Sequence, residues 1–150
     1  MENYKMFDIV YVDLSDSKGS EQSGIRPCII VQNNTGNKYS PTVLVMCLTS
    51  VIKKENLPTH CVIHGSLQNG LKYDSMVMAE TTCQISKERI LYKAGHIDND
   101  YDKNNIINAY LANITGQKCY TGVLSQVVCA ICRFVIKIGK EEEHKRWSIG

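Results

Sequence analysis

The sequence has almost no net charge: 17 basic residues against 15 acidic ones leave +2 with histidine neutral. The chain cannot act as a polycation, so any affinity for nucleic acid must come from a local basic patch. The opening residues, MENYKMFD, show no apolar core segment and no small-residue cleavage site. No secretory signal is expected, and the expected location is the cytoplasm. The most apolar late stretch is broken by Ser125, Gln126 and Arg133, which makes it a poor membrane-spanning helix. Internal repeats and low-complexity linkers are missing. So are a phosphate-cradling glycine loop, a pair of catalytic carboxylates and a nucleophile elbow. These absences argue against nucleotide-hydrolysing and acyl-transfer enzymes.

Cysteine, by contrast, is plentiful. Seven in 150 residues is an odd number, and without a secretion signal they read as reduced thiols, mostly small apolar fillers of strands. Cys28 in PCIIV and Cys47 in VLVMCL sit within such apolar runs. Cys129 and Cys132 form one Cys-x-x-Cys. A metal site there needs two further ligands, and only Cys119 and His144 lie near, at irregular spacing. The helical pattern equally places the pair on one apolar face, so no metal is expected.

Hydrophobic residues make up 43% and charged residues 21%, the balance of one soluble globular domain with room for an appendage. Period-two or continuous apolar runs predict strands over residues 7–14 (FDIVYVDL), 27–32 (PCIIVQ) and 42–49 (TVLVMCLT), with shorter ones over 61–64 and 75–80. Turn formers fill residues 15–24 and 33–41. Beyond residue 85 the pattern turns helical. Ser86 can cap a helix over 87–93, and Asp98 or Asp100 a second near 101–114. In the latter, Ile107, Tyr110, Leu111 and Ile114 repeat on one face and Gly116 ends it. The expected class is α+β: a compact barrel or strongly bent antiparallel sheet with helices collected late. Residues 5–116 form the expected domain. Residues 117–150 read as a helical extension, with Val123, Val127, Ile131, Phe134 and Ile138 on one face and a charged tail, packing on the core or on a partner.

The chemistry-bearing stretch is residues 19–27, GSEQSGIRP. A polar loop ends in Arg26, and the following proline restricts the Arg26 backbone to extended geometry. An arginine fixed at the root of a loop can clamp a phosphate with two parallel hydrogen bonds, and Gly19 and Gly24 allow the loop to fold over a ligand. Arg26 can equally pair with Glu21 and staple the loop. Thr49 and Ser50 close the third strand. Their hydroxyls can cap the next turn, or bind phosphate beside Lys53 and Lys54. The four histidines, His60, His64, His96 and His144, are scattered, with no nucleophile or second catalytic group beside them.

Read in order, these segments resemble the MazF/PemK toxins of bacterial toxin–antitoxin systems, nearest the Gram-positive MazF branch. The residues that carry the likeness are DIVYVDLS over 8–15, GSEQSGIRP over 19–27, Gln32-Asn33 and GNKYSPT over 36–42. It continues through LTS over 48–50, LPTH over 57–60, LKYDS over 71–75, residues 87–91 and GHID over 95–98. The likeness covers about residues 5–115, and residues from Gln117 onward have no counterpart in it. The resemblance implies an SH3-like barrel sheet with peripheral helices, assembled as a homodimer, with no membrane association. It implies metal-independent, cofactor-free cleavage of single-stranded RNA at a short sequence. The ribose 2′-hydroxyl attacks its own phosphate, leaving a 2′,3′-cyclic phosphate and a 5′-hydroxyl. Arg26 and Thr49 match the residues that carry that chemistry. Glu21 is the candidate base, and Ser20, Gln22, Asn33, Ser50, Lys53, Lys54, Glu80 and Thr81 are candidate RNA contacts. The implied protein partner is a cognate antitoxin with an acidic, partly disordered segment. One departure stands out: the family's Glu-Gln followed two positions on by arginine reads here as Glu80, Thr81 and Cys83, which bears on RNA affinity or sequence choice. The alternatives are a CcdB-like toxin that binds DNA gyrase without cutting RNA, and an RNA-binding member that has lost catalysis.

Overall fold

The computed structural model describes residues 3–116. The expected extension over 117–150, with Cys119, Cys129, Cys132 and His144, lies outside the described residues. Strand β1 (Asp8–Asp13), β2 (Ile25–Ile30), a short helix α1 (Asn34–Tyr39) and β3 (Thr42–Thr49) come first. They are followed by β4 (His60–Ile63), β5 (Ser75–Met78), β6 (Cys83–Ser86), β7 (Ile90–His96) and the long helix α2 (Asp100–Thr115). Single 3-10 turns precede β6 and β7. All strand pairings are antiparallel, in the order β4-β5-β3-β2-β1-β7, with β6 also on β3. The α+β class holds. Two expectations do not. Helices are not all late, because α1 occupies the 33–41 segment. And residues 87–93 are one 3-10 turn, capped by Ser86 as expected, running straight into β7.

β3 is the spine. Its start pairs with β6, its end with β5, and β2 lies along its other edge. Both faces of the central strands are covered, which is why they read as continuous apolar runs. One face puts Ile9, Ile29, Met46 and Leu48 against Ile106 and Ala109 of α2. The other gathers Val10, Val12, Cys28, Ile30, Val43, Val45 and Cys47. Each fully buried isoleucine or leucine contributes roughly 1.5–3 kcal/mol. Helix α2 is capped by Asn99 and ends at Gly116 in the left-handed region. It buries Ile106, Ala109 and Ala112, one position away from the face expected from its bulky residues, and Ile114 is exposed.

A buried carboxylate ties the first strand to the last. Asp8, fully buried, accepts from the Lys5 N–H at 2.8 Å, from Lys93 Nζ at 2.7 Å and from His96 Nδ1 at 2.7 Å. Removing it strands these donors at the β1–β7 seam. Asp8→Ala is expected to destabilise the fold by about 3 kcal/mol, read by urea denaturation.

The connection between β4 and β5 crosses tightly over β7. Asn69, buried, donates from Nδ2 to the His64 carbonyl at 2.9 Å and accepts from the Ser66 and Leu71 N–H groups at 3.0 Å. A Cβ at Gly95 would lie 2.4 Å from backbone atoms of Gln68 and Asn69. A Cβ at Gly70 would lie 2.3 Å from the Ala94 carbonyl oxygen. Only glycine permits this approach, and it delivers Leu71, Lys72 and Tyr73 to the face described next.

Candidate functional site

The 19–27 segment folds as a loop running into β2. Leu14 N–H donates to the Gly24 carbonyl at 3.0 Å, closing the loop, and Arg26 pairs with Val12 of β1. The Arg26 Nε donates to the Ser23 carbonyl at 2.7 Å. The guanidinium is therefore anchored at one nitrogen, and its two terminal nitrogens have no protein partner among the described residues. Glu21 is not its partner; that carboxylate accepts from the Lys18 N–H at 3.0 Å.

Thr49 ends β3. Its Oγ1 accepts from the Val51 N–H at 3.1 Å, so the turn-capping role expected from sequence is present. The β2–β3 ladder sets Cys28 opposite Cys47, Ile29 opposite Met46 and Ile30 opposite Val45, and Arg26 and Thr49 stand two residues beyond its end. Val31 N–H donates to the Leu44 carbonyl at 2.9 Å, which makes that pair hydrogen-bonded. By alternation the Cys28–Cys47 pair is non-hydrogen-bonded, the kind in which facing side chains lie closest. Arg26, Cys28, Cys47 and Thr49 thus share one face of two neighbouring strands.

A cleft of about 500 Å³ opens there, lined by Tyr11, Arg26, Thr49, Ser50, Lys72 and Tyr73 among others. Lys72 Nζ lies 5.2 Å from the centre of the Tyr73 ring, and Tyr11 stacks on Tyr92 at 4.8 Å. Among the described residues no carboxylate or histidine lines the cleft. Two cations beside a hydroxyl, with aromatic walls, suit a phosphate flanked by bases. A second depression of about 560 Å³ lies alongside, lined by Ser20, Glu21, Gln22, Cys47, Glu80 and Cys83, with Thr81 and Thr82 at its wall. At its rim, His60 Nε2 contacts Glu80 Oε1 at 2.6 Å and its Nδ1 contacts the Lys54 carbonyl at 2.9 Å. Thr81 Oγ1 accepts from the Cys47 N–H at 2.9 Å.

The sequence-predicted residues thus divide. Arg26, Thr49 and Ser50 meet in the first cleft. Ser20, Glu21, Gln22, Glu80 and Thr81 line the second. Lys53 and Lys54, both exposed, line neither, and Asn33 caps α1 by accepting from the Gly36 N–H. Tyr11, Lys72 and Tyr73 were missed. Their signal was an aromatic on the β1 residue facing Pro27 and a basic-aromatic pair directly before β5. Among the described residues no group of three or more histidine, cysteine or acidic side chains could hold a metal ion, and no helix is long and apolar enough to cross a membrane.

Comparison with known proteins places this geometry. The family model described as "PemK-like, MazF-like toxin of type II toxin-antitoxin system" matches residues 5–114. The chain is 42% identical over 106 residues to endoribonuclease MazF of Staphylococcus saprophyticus, covering 69% of this chain and 88% of that protein. It is 40% identical over 96 residues to endoribonuclease EndoA of Bacillus subtilis, covering 64% and 82% respectively. Among solved structures, an endoribonuclease in complex with its cognate antitoxin from Mycobacterial species superposes with a TM-score of 0.59 at 22% identity. That match covers 74% of this chain and 94% of that one, and at this identity the likeness is one of fold.

Proposed function

Because the chain belongs to the PemK-like, MazF-like toxin family of type II toxin–antitoxin systems, we propose that its Arg26–Thr49 cleft is where single-stranded RNA is cut. The protein is an endoribonuclease toxin, as its relatives named MazF and EndoA are; this favours the enzyme over the gyrase-binding alternative. The observation that carries the site is that Arg26 and Thr49, at the ends of the paired strands β2 and β3, line one cleft, with the guanidinium's outer nitrogens unengaged among the described residues.

In the proposed reaction the ribose 2′-oxygen bonds to the adjacent phosphorus while the bond to the 5′-oxygen breaks. The departing 5′-oxygen takes up a proton from water, and the products are a 2′,3′-cyclic phosphate and a 5′-hydroxyl. The crowded phosphorane carries more negative charge on its oxygens than the ground state. Arg26 stabilises it with a fixed fork of donors, and the Thr49 hydroxyl adds another. The positive charge comes from the side chain, so chelators should not stop the reaction. Glu21 is the proposed acceptor of the 2′-hydroxyl proton. It lines the neighbouring depression, so the transfer runs through water. Tyr11 and Tyr73 give flanking bases flat surfaces, and single strands allow bases to splay onto them. A two-fold homodimer and an antitoxin with an acidic segment complete the proposal. Support for the latter is the antitoxin-bound structure named above and the positive charge of Arg26 and Lys72 in one cleft.

The test is a long single-stranded RNA incubated with the full chain in excess EDTA. Cuts at one short sequence, with 5′ ends that accept phosphate directly from polynucleotide kinase, are the expected result. A folded protein that leaves every RNA intact, or leaves 5′-phosphate ends, would overturn it.

A further inference from the structure

Cys28 and Cys47 face each other on β2 and β3, each two residues from Arg26 or Thr49 along its strand. We propose that Cys28 and Cys47 are a hydroperoxide-reactive pair whose conversion to a disulfide disables the adjoining Arg26–Thr49 cleft; the loss of cleavage rests on the function proposed above. The Cys28 thiol donates to the Cys47 sulfur at 3.6 Å across β2 and β3. The two residues form a non-hydrogen-bonded antiparallel pair, whose Cα separation of about 4.5 Å falls within the range that disulfides bridge. Both thiols are buried, Cys47 at 1% exposure, and Cys47 forms part of the lining of the second depression, the side from which a small oxidant approaches in this proposal.

The chemistry balances within the pair. The Cys47 thiolate attacks one peroxide oxygen, the O–O bond breaks, and the departing oxygen takes up a proton. The peroxide is reduced by two electrons and Cys47 becomes a sulfenic acid. The Cys28 thiol then attacks that sulfur, forming the S–S bond and releasing water. The surroundings favour Cys47 as the attacking thiol. The hydrogen bond from Cys28, helped by Thr81 and the Arg26 charge, outweighs burial and lowers Cys47, while the same hydrogen bond and burial raise Cys28. Burial instead pushes Cys61 up to about 12 and raises Cys83.

The effect on the cleft follows from register. The sulfurs must close from 3.6 Å to about 2.05 Å, roughly 1.5 Å of movement in a packed face. The next residues on that face are Arg26 and Thr49. A displacement near 1 Å at a reacting centre costs about 10²-fold in rate.

The experiment uses the reduced full chain treated with hydrogen peroxide at a few equivalents. Free thiols are then blocked under denaturing conditions and peptides mapped by mass. We expect a Cys28–Cys47 linked peptide to form before any other disulfide, faster as pH rises, with cleavage falling ten- to hundredfold and returning with dithiothreitol. Cys28→Ser and the better-packing Cys28→Val, each checked by thermal melting, should keep their cleavage after peroxide. Cys28 and Cys47 still free while other thiols oxidise, Cys47 linked to Cys83 instead, or a linked pair with unchanged cleavage would overturn the proposal. A reduced protein that cuts no RNA would sink the nuclease reading instead, and the linked peptide would still decide for or against the pair.

Discussion

Arg26→Ala is expected to lower kcat for RNA cleavage by about 10³-fold, with a much smaller change in KM. The reasoning starts from the backbone. Pro27 and the pairing with Val12 fix the Arg26 main chain, and the Ser23 carbonyl holds Nε at 2.7 Å. The two free nitrogens are therefore pre-aimed, and no reorganisation is needed when charge gathers on the phosphorane. An interaction that strengthens only in the transition state appears in kcat rather than in binding. Arg26→Lys keeps the charge but loses the two-pronged geometry and the Ser23 anchor, so it should recover only part of the loss. Single-turnover cleavage of a short RNA by both variants, with melting curves showing intact folds, measures this. An Arg26→Ala protein cutting within threefold of the parent would remove the arginine from the chemistry.

Gly70→Ala is expected to cost about 4 kcal/mol or more, enough to leave most of the chain unfolded or aggregated on expression. Two penalties add. Gly70 has φ +72, a left-handed backbone that costs an alanine roughly 1–2 kcal/mol. The added Cβ would also sit 2.3 Å from the Ala94 carbonyl oxygen and 2.6 Å from its carbon. Both obstacles are backbone atoms of a paired strand and cannot swing aside. Gly116 separates the two terms: its φ is +69, but no atom of the described residues lies within 4 Å of its would-be Cβ. Gly116→Ala should therefore cost only about 1–2 kcal/mol by the same conformational penalty. Chemical denaturation of the two variants side by side checks the difference. Equal, small losses would mean the 65–71 connection does not press on β7 as described.

Why some elements were legible and others not follows from local chemistry. β1 and β3 could be read directly, because their residues pack on both faces and leave unbroken apolar runs. β7 could not. Its pairing with β1 slips twice, between Ile9 and Val10 and between Tyr11 and Val12, so ILYKAGH loses strict alternation. A true cap at Ser86 then mimics a helix start. α1 hid among turn formers because Asn33 caps a helix too short to show a periodic face. In α2 the buried face is set by Ala109 and Ala112 with Ile106, and alanines leave little signal beside Tyr110 and Leu111. At the site, Arg26 and Thr49 stood out through a contiguous motif and a strand end. Lys72 and Tyr73 reach the cleft only because Gly70 and Gly95 let two backbones meet, a contact between segments far apart in sequence. Cys28 and Cys47 looked like fillers singly. Their significance lies in a register that only the paired strands reveal.

The mechanism stands or falls on the ribose 2′-hydroxyl being the nucleophile beside Arg26 and Thr49. Once the cut site is mapped, an RNA oligonucleotide can be made with a single 2′-deoxyribose on the 5′ side of the scissile phosphate. The full chain should bind it as tightly as the all-RNA strand, compete with that strand, and leave it uncut. Cleavage of the substituted strand at the parent rate would contradict attack by the 2′-hydroxyl.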